Sequence, residues 1–424
     1  MQVVETFGQY VQRWSGSHPD RARDLLRLGW EAQNLKNKYL PDRRLLPADQ
    51  YLAKIMMDAM LKPLQHPASS AIVSVFTPSE ILQEAGLNPY NVEGFSCYLS
   101  GSRAERLFLQ QAENAGISET LCSYHKTFLG AVDKDVLPRP NCIVYTNLTC
   151  DANLLTFRRL AELYGVPSFS IDVPMQQSAA NIAYVAGQLR ELADFLQTNT
   201  GKTIDTEALR VRLCRSRRTL EKFRECQRAR ADKYVPSDLV TPLYSGMVNN
   251  ILLGSQQVEN YVDRLRADIE KAPPARGKRI YWMHTIPFWS AAARQALAFS
   301  EKAQIVGCEL SQVCEPDFDP EEPFEAMAYR MVNHVLNGSG LRRIEAGIRH
   351  AKEAGADGVV WFNHWGCKHT LGAAQLAKKK FEEHGLPLLI LDGDGCDRSH
   401  GGEGQTSTRL EAFLEMLEEG DGTL

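Results

Sequence analysis

The sequence predicts an α/β protein built from two parallel sheets that are each covered by helices. Short β-branched runs alternate with amphipathic helical stretches, and short loops join them, which is the pattern of βαβ units. This alternation occurs twice, on either side of a long central stretch with helical periodicity. Because a helical crossover connects strands that run in the same direction, both sheets are expected to be parallel.

The first α/β unit is predicted to span residues 71–185, after an N-terminal helical segment at residues 1–70. In the N-terminal segment, apolar residues recur every three or four positions. In the unit itself, helices are predicted to begin at residues 78, 103 and 151 and to end at Gly86, Gly116 and Gly165. The predicted strands are 71–76, 91–97, 142–147 and 168–173.

A helical region at residues 186–275 is predicted to link this unit to a second α/β unit at residues 276–424. The two prolines and the glycine of KAPPARGKR, at residues 271–279, mark the boundary. Helical patterns at 342–354 and 373–383 separate the strands of the second unit, so both units are expected to be doubly wound, of the Rossmann or flavodoxin type. The predicted strands are 279–283, 304–307, 358–362 and 387–391.

Composition and charge narrow the class of protein. A chain of 424 residues is expected to form two or three domains, and 44% hydrophobic with 24% charged residues is typical of a soluble globular protein. The formal net charge of −4 gives no indication of a nucleic-acid partner. No apolar run reaches the roughly 18 residues of a membrane span, and the N-terminus lacks a secretion signal. The sequence therefore predicts a cytoplasmic protein without a membrane partner.

The ten cysteines are the main candidates for functional residues. Cytoplasmic thiols stay reduced, which favours metal ligation, catalysis or simple burial over disulfides. Four thiols closely follow predicted strands, and the loops after parallel strands form the ligand crevice of such sheets. These four are Cys150, Cys308, Cys367 and Cys396.

Three cysteines are expected to be bystanders, because Cys214 and Cys226 lie in the central helical region and Cys142 begins a strand. None of the other seven forms a C-x-x-C pair, so the spacing typical of zinc sites and of ferredoxins is absent. Single thiols from separate loops suit a large inorganic cluster held between two domains. The seven candidates are Cys97, Cys122, Cys150, Cys308, Cys314, Cys367 and Cys396.

Four segments around these thiols resemble the family of 2-hydroxyacyl-CoA dehydratases and benzoyl-CoA reductases. The resemblance spans most of the chain beyond about residue 70, and it implies that Cys122, Cys150 and Cys367 bind a 4Fe–4S cluster. The segments are 121–130 (LCSYHKTFLG), 147–151 (NLTCD) with the helix and strand after it, 355–367 (GADGVVWFNHWGC) and 385–415 (GLPLLILDGDGCDRSHGGEGQTSTRLEAFLE).

Further thiols distinguish this chain from the dehydratase pattern, since Cys396 stands where many dehydratase subunits have no thiol and Cys308 and Cys314 add two more. The chain thus resembles the double-cubane branch of the family, in which two linked cubanes are each bound by three cysteines. That resemblance implies an 8Fe–9S cluster with these three thiols on the second cubane and Cys97 in reserve. Thiolates are the soft ligands that iron–sulfur clusters require, and six of them lower the reduction potential.

The function implied by the resemblance is ATP-dependent reduction of a small or acyl-CoA-like molecule by an iron–sulfur oxidoreductase. A separate ATP-hydrolysing activator with its own 4Fe–4S cluster is expected to supply the electrons, and the chain is expected to be a homodimer. No phosphate-binding motif is present in the chain itself. The alternatives are a lyase, as the single-4Fe–4S subunit of a 2-hydroxyacyl-CoA dehydratase, a non-catalytic electron-storage protein, and a zinc or metal-free α/β protein.

Histidines beside the thiols are candidate proton donors, because imidazole titrates near neutrality. His364 and His369 flank Cys367, and His125 follows Cys122. The alternative is that these histidines only hydrogen-bond to the ligands. His284 follows the first strand of the second unit and is a further candidate for the same cleft.

Overall fold

The computed structural model describes residues 2–312 and 315–420, which form two four-stranded parallel sheets. The strands of the first sheet are β1 (Ser70–Val73), β2 (Asn88–Asn91), β3 (Cys142–Thr146) and β4 (Ser168–Ile171). The strands of the second sheet are β5 (Lys278–Met283), β6 (Ala303–Cys308), β7 (Gly358–His364) and β8 (Leu388–Gly393).

Helices cover both sheets and fill the N-terminal and central regions. Before and within the first unit they are α1 (Gln2–Ser17), α2 (Pro19–Tyr39), α3 (Pro47–Gln65), α4 (Ser79–Glu84), α5 (Val92–Gly101), α6 (Glu105–Asn114), α7 (Ser123–Asp133) and α8 (Asp151–Tyr164). The central helices are α9 (Ala179–Thr200), α10 (Thr206–Ala229), α11 (Thr241–Ile251) and α12 (Gln256–Lys271). The second unit contains α13 (Ala291–Leu297), α14 (Pro323–Val332), α15 (Gly340–Glu353), α16 (Lys368–Leu371), α17 (Ala374–Glu383) and α18 (Glu403–Gly420).

The two sheets have the same strand topology, which confirms the predicted pair of doubly wound sheets. The strand order is β2-β1-β3-β4 in the first sheet and β6-β5-β7-β8 in the second. In each sheet the chain winds first to one side of its starting strand and then to the other. Such a reversal opens a crevice at the carboxyl ends of the two strands that flank it. Crevices are therefore expected beyond β1 and β3 in one sheet and beyond β5 and β7 in the other.

The central strands of the second sheet, β5 and β7, are buried on both faces, as is usual in parallel sheets. Every residue of β7 is buried, and its sequence GVVWFNH is correspondingly a continuous apolar run up to Phe362. Trp282 on β5 and Trp361 on β7 are fully buried and belong to separate hydrophobic clusters. The helices therefore form a layer on each side of this sheet.

The predicted strand at residues 91–97 is wrong, and this changes the position of one candidate thiol. The chain forms β2 just before this segment and then enters α5, which contains Cys97. The apolar residues Val92, Phe95 and Leu99 recur at helical spacing and are all fully buried. Because the helix is buried nearly all round, its short apolar sequence resembles a buried strand.

Hydrogen bonds join the loop after β8 to helices of the first unit. Ser123 donates from Oγ to Oδ1 of Asp394 over 2.6 Å, and both residues are buried. Arg398 donates from Nη2 to the carbonyl of Ser100, also over 2.6 Å. Ser100 in turn donates from Oγ to the carbonyl of Cys396 at 2.8 Å. These bonds hold the carboxyl ends of the two sheets against each other.

None of the helices within residues 2–312 and 315–420 is both long enough and apolar enough to cross a bilayer.

Candidate metal centre

A cavity of about 370 Å³ lies between the two units, and three predicted ligands line it: Cys122, Cys150 and Cys367. This cavity, called the cluster cavity below, has a volume within the range of about 300–1,000 Å³ that is usual for small-molecule sites. Its wall is largely apolar and includes the histidines at 125, 284, 364 and 369. The structure thus brings together the three thiols that the family resemblance selects.

The cluster cavity lies where the two crevices of the sheets meet. Phe76 follows β1 and Cys150 follows β3, and both line the cavity from the first sheet. His284 follows β5 and Cys367 follows β7, and both line it from the second. The winding reversal of each sheet therefore contributes to one shared site, in agreement with the position of ligands in open α/β sheets.

Each of the three thiols stands directly before a helix. Cys122 precedes α7, Cys150 precedes α8, and Cys367 precedes the single turn of α16. The unpaired N–H groups and the dipole at a helix N-terminus favour negative charge, so a thiolate or an anionic cluster is stabilised there. The backbone therefore suits anionic ligands at Cys122 and Cys150, which precede full helices, whereas α16 after Cys367 is only one turn long.

Burial and the charges of neighbouring thiols raise the pKa of two of the three candidate ligands. Burial raises the pKa of the Cys150 thiol to about 12, and the charge of Cys367 adds to this effect. Burial and the charges of Cys367 and Cys150 raise the pKa of the Cys122 thiol well above its usual range. In the described part of the chain, no three Cys, His, Asp or Glu side chains are grouped as around a single metal ion. The three thiols are instead distributed around the wall of the cavity.

Two glycine loops allow the units to approach closely at the site. Gly366 has a φ of +80°, and a Cβ added there would lie 2.7 Å from the backbone nitrogen of Cys122. A side chain at Gly395 would overlap the hydroxyl of Tyr124. The loop after β7 can therefore touch the backbone of Cys122 only because residue 366 has no side chain.

His364, at the end of β7, donates a hydrogen bond to one of the candidate ligands. Its Nδ1 accepts the backbone N–H of Gly395 at 3.1 Å, so the ring proton of the neutral form is on Nε2. Nε2 lies 3.2 Å from Sγ of Cys122 and donates to it. Burial lowers the pKa of His364, which keeps the ring neutral near pH 7. The residue is thus a fixed donor to sulfur.

The other two predicted histidines also line the cavity. His125 Nδ1 lies 3.0 Å from Oγ1 of Thr156, and burial lowers the pKa of the imidazole to about 4. Burial, and next the charge of Arg343, lower the pKa of His369. Neutral histidines at both positions can donate or accept hydrogen bonds.

Glu93 is a site residue that sequence reasoning missed. It lines the cluster cavity from α5, and Nδ2 of Asn91 donates to its Oε2 at 3.2 Å. Burial raises its pKa to about 7, so near neutrality the carboxyl is present in both protonation states. A single Glu in a short helix carries no pattern that distinguishes it from a surface carboxylate. Only the packing of α5 reveals it.

A buried ion pair beside the cavity was also missed. Arg343 and Glu309 are each 4% exposed and bind each other through two bonds of 2.6 Å. Arg343 lines the cavity and donates from Nη1 to the carbonyl of His369 at 3.0 Å. Glu309 accepts the backbone N–H of His284 at 3.0 Å, and His284 has the unusual φ of +75°. The pair thereby fixes the loops after β5 and β7.

Of the thiols predicted for a second cubane, the two that the structure describes, Cys308 and Cys396, do not line the cluster cavity. Cys308 is the last residue of β6, and its Sγ lies 3.6 Å from the carbonyl of His284. Cys396 is completely buried, with Sγ 3.4 Å from Oγ1 of Thr127. Cys314 lies outside the described residues. Cys97, the reserve candidate, does line the cavity.

The three expected bystanders are remote from the cavity wall. Cys142 begins β3 and is completely buried, and Cys214 and Cys226 lie in α10. Burial raises the pKa of the thiols of Cys142 and Cys226 to about 12.

Comparison with known proteins matches residues 74–417 to the family described as 2-hydroxyglutaryl-CoA dehydratase, D-component. The chain is 22% identical over 380 residues to the alpha subunit of the lactoyl-CoA dehydratase of Anaerotignum propionicum, with 80% of this chain and 89% of that protein covered. It is 21% identical over 344 residues to a subunit of the benzoyl-CoA reductase of Thauera aromatica, with 73% and 80% covered. Because the family match spans most of the chain and includes Cys122, Cys150 and Cys367, this protein belongs to the 2-hydroxyglutaryl-CoA dehydratase D-component family.

Proposed function

We propose that this chain is an iron–sulfur enzyme subunit that holds one 4Fe–4S cluster and acts on a 2-hydroxyacyl or related acyl thioester. One observation carries the proposal: Cys122, Cys150 and Cys367 come from loops of both sheets, precede three helices, and line a single cavity. Three thiolates leave one iron of a cubane without a protein thiolate. When bound, such a cluster supplies single electrons at low potential and a Lewis-acidic iron.

The residues around the thiols fit an anionic cluster. The N-termini of α7 and α8 stabilise negative charge at Cys122 and Cys150, and the Nε2–H of His364 donates to the sulfur of Cys122. The guanidinium of Arg343 lines the same cavity and is held in place by Glu309. Hydrogen bonds and positive charge near the sulfurs are the means by which proteins adjust cluster potentials.

Glu93 supports acid–base chemistry in the same cavity. Its pKa of about 7 means that it can both accept and return a proton near neutral pH. The carboxyl accepts a hydrogen bond from Asn91 and lines the same cavity as the three candidate ligands. We assign it the role of the proton-transferring residue for a bound thioester, in place of His125 and His369. Those two remain candidates for orienting the substrate.

The double-cubane interpretation remains a prediction. It requires three further thiolates beside the first three, and among the described cysteines only Cys97 joins them in the cavity wall. Cys308 and Cys396 are not part of that wall, although the Sγ of Cys308 lies 3.6 Å from the carbonyl of His284, which is part of it. The geometry therefore favours one cubane per chain and the dehydratase type of activity over an 8Fe–9S reductase.

Partners are part of the proposal. The relatives are named as subunits, one of a dehydratase and the other of a reductase. We infer that this chain likewise functions with a second subunit, or with a second copy of itself as the homodimer prediction states. An ATP-hydrolysing activator with its own 4Fe–4S cluster is the proposed electron donor.

Anaerobic iron and sulfide analysis of the reconstituted chain tests the metal centre. One cubane gives about four irons per chain, and a double cubane gives about eight. Separate Ser substitutions at Cys122, Cys150 and Cys367 are expected to abolish stable binding of iron, whereas Cys214→Ser in α10 is expected to bind it normally. Iron content that is unaffected by the cavity substitutions would contradict the proposed ligands. Loss of iron in Cys308→Ser or Cys396→Ser would restore the double-cubane assignment.

Turnover tests the activity. The reconstituted chain, its second subunit and an activator are expected to convert 2-hydroxyacyl thioesters to enoyl thioesters, and Glu93→Gln is expected to lower this rate while iron content stays unchanged. Electron uptake without conversion of any acyl thioester would favour an electron-storage protein instead.

A further inference from the structure

A second cavity, of about 470 Å³, lies on the far side of α5 and α11 from the metal centre. It is called the apolar chamber below. Its wall comes from the N-terminal helices, from α5 and from α11. Large apolar side chains dominate this wall, among them Phe7, Trp30, Met57, Tyr244 and Phe288.

Two polar side chains of this wall, Trp30 and Ser102, are paired with each other, whereas the buried hydroxyl of Tyr98 has no hydrogen-bond partner. Trp30 donates from Nε1 to Oγ of Ser102 at 3.0 Å, and Ser102 donates from Oγ to the carbonyl of Tyr98 at 2.8 Å. Among the described residues that line the chamber, none has a charged side chain. The chamber therefore offers burial to an apolar group and little to a phosphate, an ammonium or a carboxylate.

The chamber and the cluster cavity share part of their walls. Cys97, Leu243 and Met247 line both cavities. Leu243 and Met247 lie one turn apart on α11, and each of the three side chains is at most 9% exposed. A boundary of three side chains thus separates a space beside the candidate metal ligands from a larger apolar space.

Met247 is the part of this boundary best able to move. Methionine is unbranched and flexible, and it adapts to irregular apolar spaces. Its sulfur occupies room left by Gly94 on α5, where an added Cβ would lie 3.1 Å from it. A change of rotamer at this one residue would move aside one of the three side chains that lie between the two cavities.

We propose that the apolar chamber is an acyl-group site: it binds the apolar end of an acyl thioester whose reacting carbons lie in the cluster cavity, with Met247 turning aside to admit it. An apolar cavity of about 150 Å³ can hold a benzene ring, so the chamber has room for an aromatic ring or for a chain of several carbons. The identity of the ligand as a thioester rests on the proposed function. The binding of an apolar group does not.

Gly101, the last residue of α5, provides a variant that narrows the chamber. It is exposed at the rim of the chamber, and a Cβ added there would have nothing within 4 Å, so Gly101→Phe adds apolar bulk at that rim. Gly187 in α9 is a matched control, because an added Cβ there is equally free and the residue does not line either cavity.

Equilibrium binding of saturated straight-chain acyl-CoA thioesters, from butyryl to dodecanoyl, tests the site on the reconstituted chain by titration calorimetry. These thioesters lack the hydroxyl group, so binding is measured without turnover. Affinity is expected to rise about fourfold for each buried CH₂ until the chamber is full. Gly101→Phe is expected to remove this gain for the long chains and to leave butyryl-CoA unaffected, and Gly187→Phe is expected to match the wild type.

Affinity that is independent of chain length, or that rises equally in Gly101→Phe, would overturn the proposal. Weaker binding of free coenzyme A by Gly101→Phe would also overturn it, because the chamber would then bind the coenzyme arm. Xenon binding in crystals of the chain is the second measurement and needs no cluster. Xenon is expected to bind in the chamber of the wild-type protein and to be absent from the chamber of Gly101→Phe. Xenon binding without any thioester binding would contradict the proposed function and the acyl assignment, and would leave only an apolar cavity.

Discussion

His364 and Cys122 are joined across the cleft by a hydrogen bond of 3.2 Å from Nε2 to Sγ. The bond connects the carboxyl end of β7 in one sheet to the residue that precedes α7 in the other unit. Its direction is fixed by Gly395, whose backbone N–H occupies Nδ1 of the same ring. A neutral histidine is thus held as a hydrogen-bond donor to a candidate cluster ligand, and this bond is expected to affect the reduction potential of a bound cluster.

Replacement of this donor is expected to lower the reduction potential of the bound cluster. In His364→Phe, the sulfur of Cys122 loses a hydrogen bond that stabilises the more negative, reduced state. Redox titration followed by electron paramagnetic resonance measures the potential. His384→Phe, at an exposed position on the far end of α17, is the control and should keep the wild-type value. An unchanged or higher potential in His364→Phe would contradict the assigned direction of the bond.

Removal of one charge from the Arg343–Glu309 pair is expected to destabilise the fold strongly. Both side chains are 4% exposed, so Glu309→Gln leaves a buried guanidinium without its counter-charge, at a cost of about 3–5 kcal/mol. Denaturant unfolding measures the change. The same substitution at Glu382, in an exposed pair with Lys378 on α17, should cost less than about 0.5 kcal/mol. Equal effects at the two sites would show that the inner pair is not isolated from water.

A methyl group at residue 366 is expected to separate the two units at the metal centre. Gly366→Ala forces a Cβ to within 2.7 Å of the Cys122 nitrogen and also strains a backbone with φ of +80°. Gly165→Ala is the matched control, since it has φ of +60° but an added Cβ meets nothing within 4 Å. The free energy of unfolding of the control should fall only by roughly 1–2 kcal/mol, which is the cost of a left-handed backbone conformation for a residue with a Cβ. Gly366→Ala should lose more stability than the control and bind less iron. If the two variants lost stability equally, close approach to the Cys122 backbone would not be the reason for a glycine at residue 366.

The raised pKa of Glu93 predicts a pH dependence of stability in the chain without a cluster. The folded pKa of about 7 lies above the ordinary value of 4.5 for a Glu carboxyl, so the folded state binds the proton more tightly than the unfolded state does. The stabilisation is fully present below about pH 4.5 and is lost as the pH rises through 7. Buried Asp49 also has a pKa raised to about 7, so the wild type contains both contributions.

The difference between the wild type and Glu93→Gln isolates the contribution of this one carboxyl. Denaturant unfolding between pH 5 and 8 is expected to show a steeper loss of stability in the wild type, by at most about 3 kcal/mol across the interval. Parallel curves for the two proteins would contradict the buried, proton-binding carboxyl.

Local sequence patterns predicted most of the fold. Asp151 and Gly165 enclose an amphipathic run, and α8 spans the predicted residues 151–164. The predicted strands 142–147 and 358–362 differ from β3 and β7 by at most two residues at an end. Short, buried α5 was mistaken for a strand, because a helix that is buried nearly all round shows too little alternation between apolar and polar residues to reveal its period.

The site was only partly predictable. Positions after strands identified Cys150 and Cys367, but Cys396 also follows a strand and is turned toward Thr127 instead of the cavity. Which way a loop folds depends on packing between the two units, and no local pattern encodes it. The same limit applies to Glu93, because burial of a carboxylate is a property of the assembled structure.

Gly366 also has a consequence for the order of events during synthesis. Cys122 and Cys150 leave the ribosome long before Cys367, and the backbone of Cys122 meets its neighbour in the site only after the second unit has folded against the first. A complete set of three thiols therefore does not exist on a nascent chain. Metal loading would therefore be a late step in maturation. A chain truncated before residue 367 would lack one of the three thiols that a cluster-delivery protein needs as acceptors.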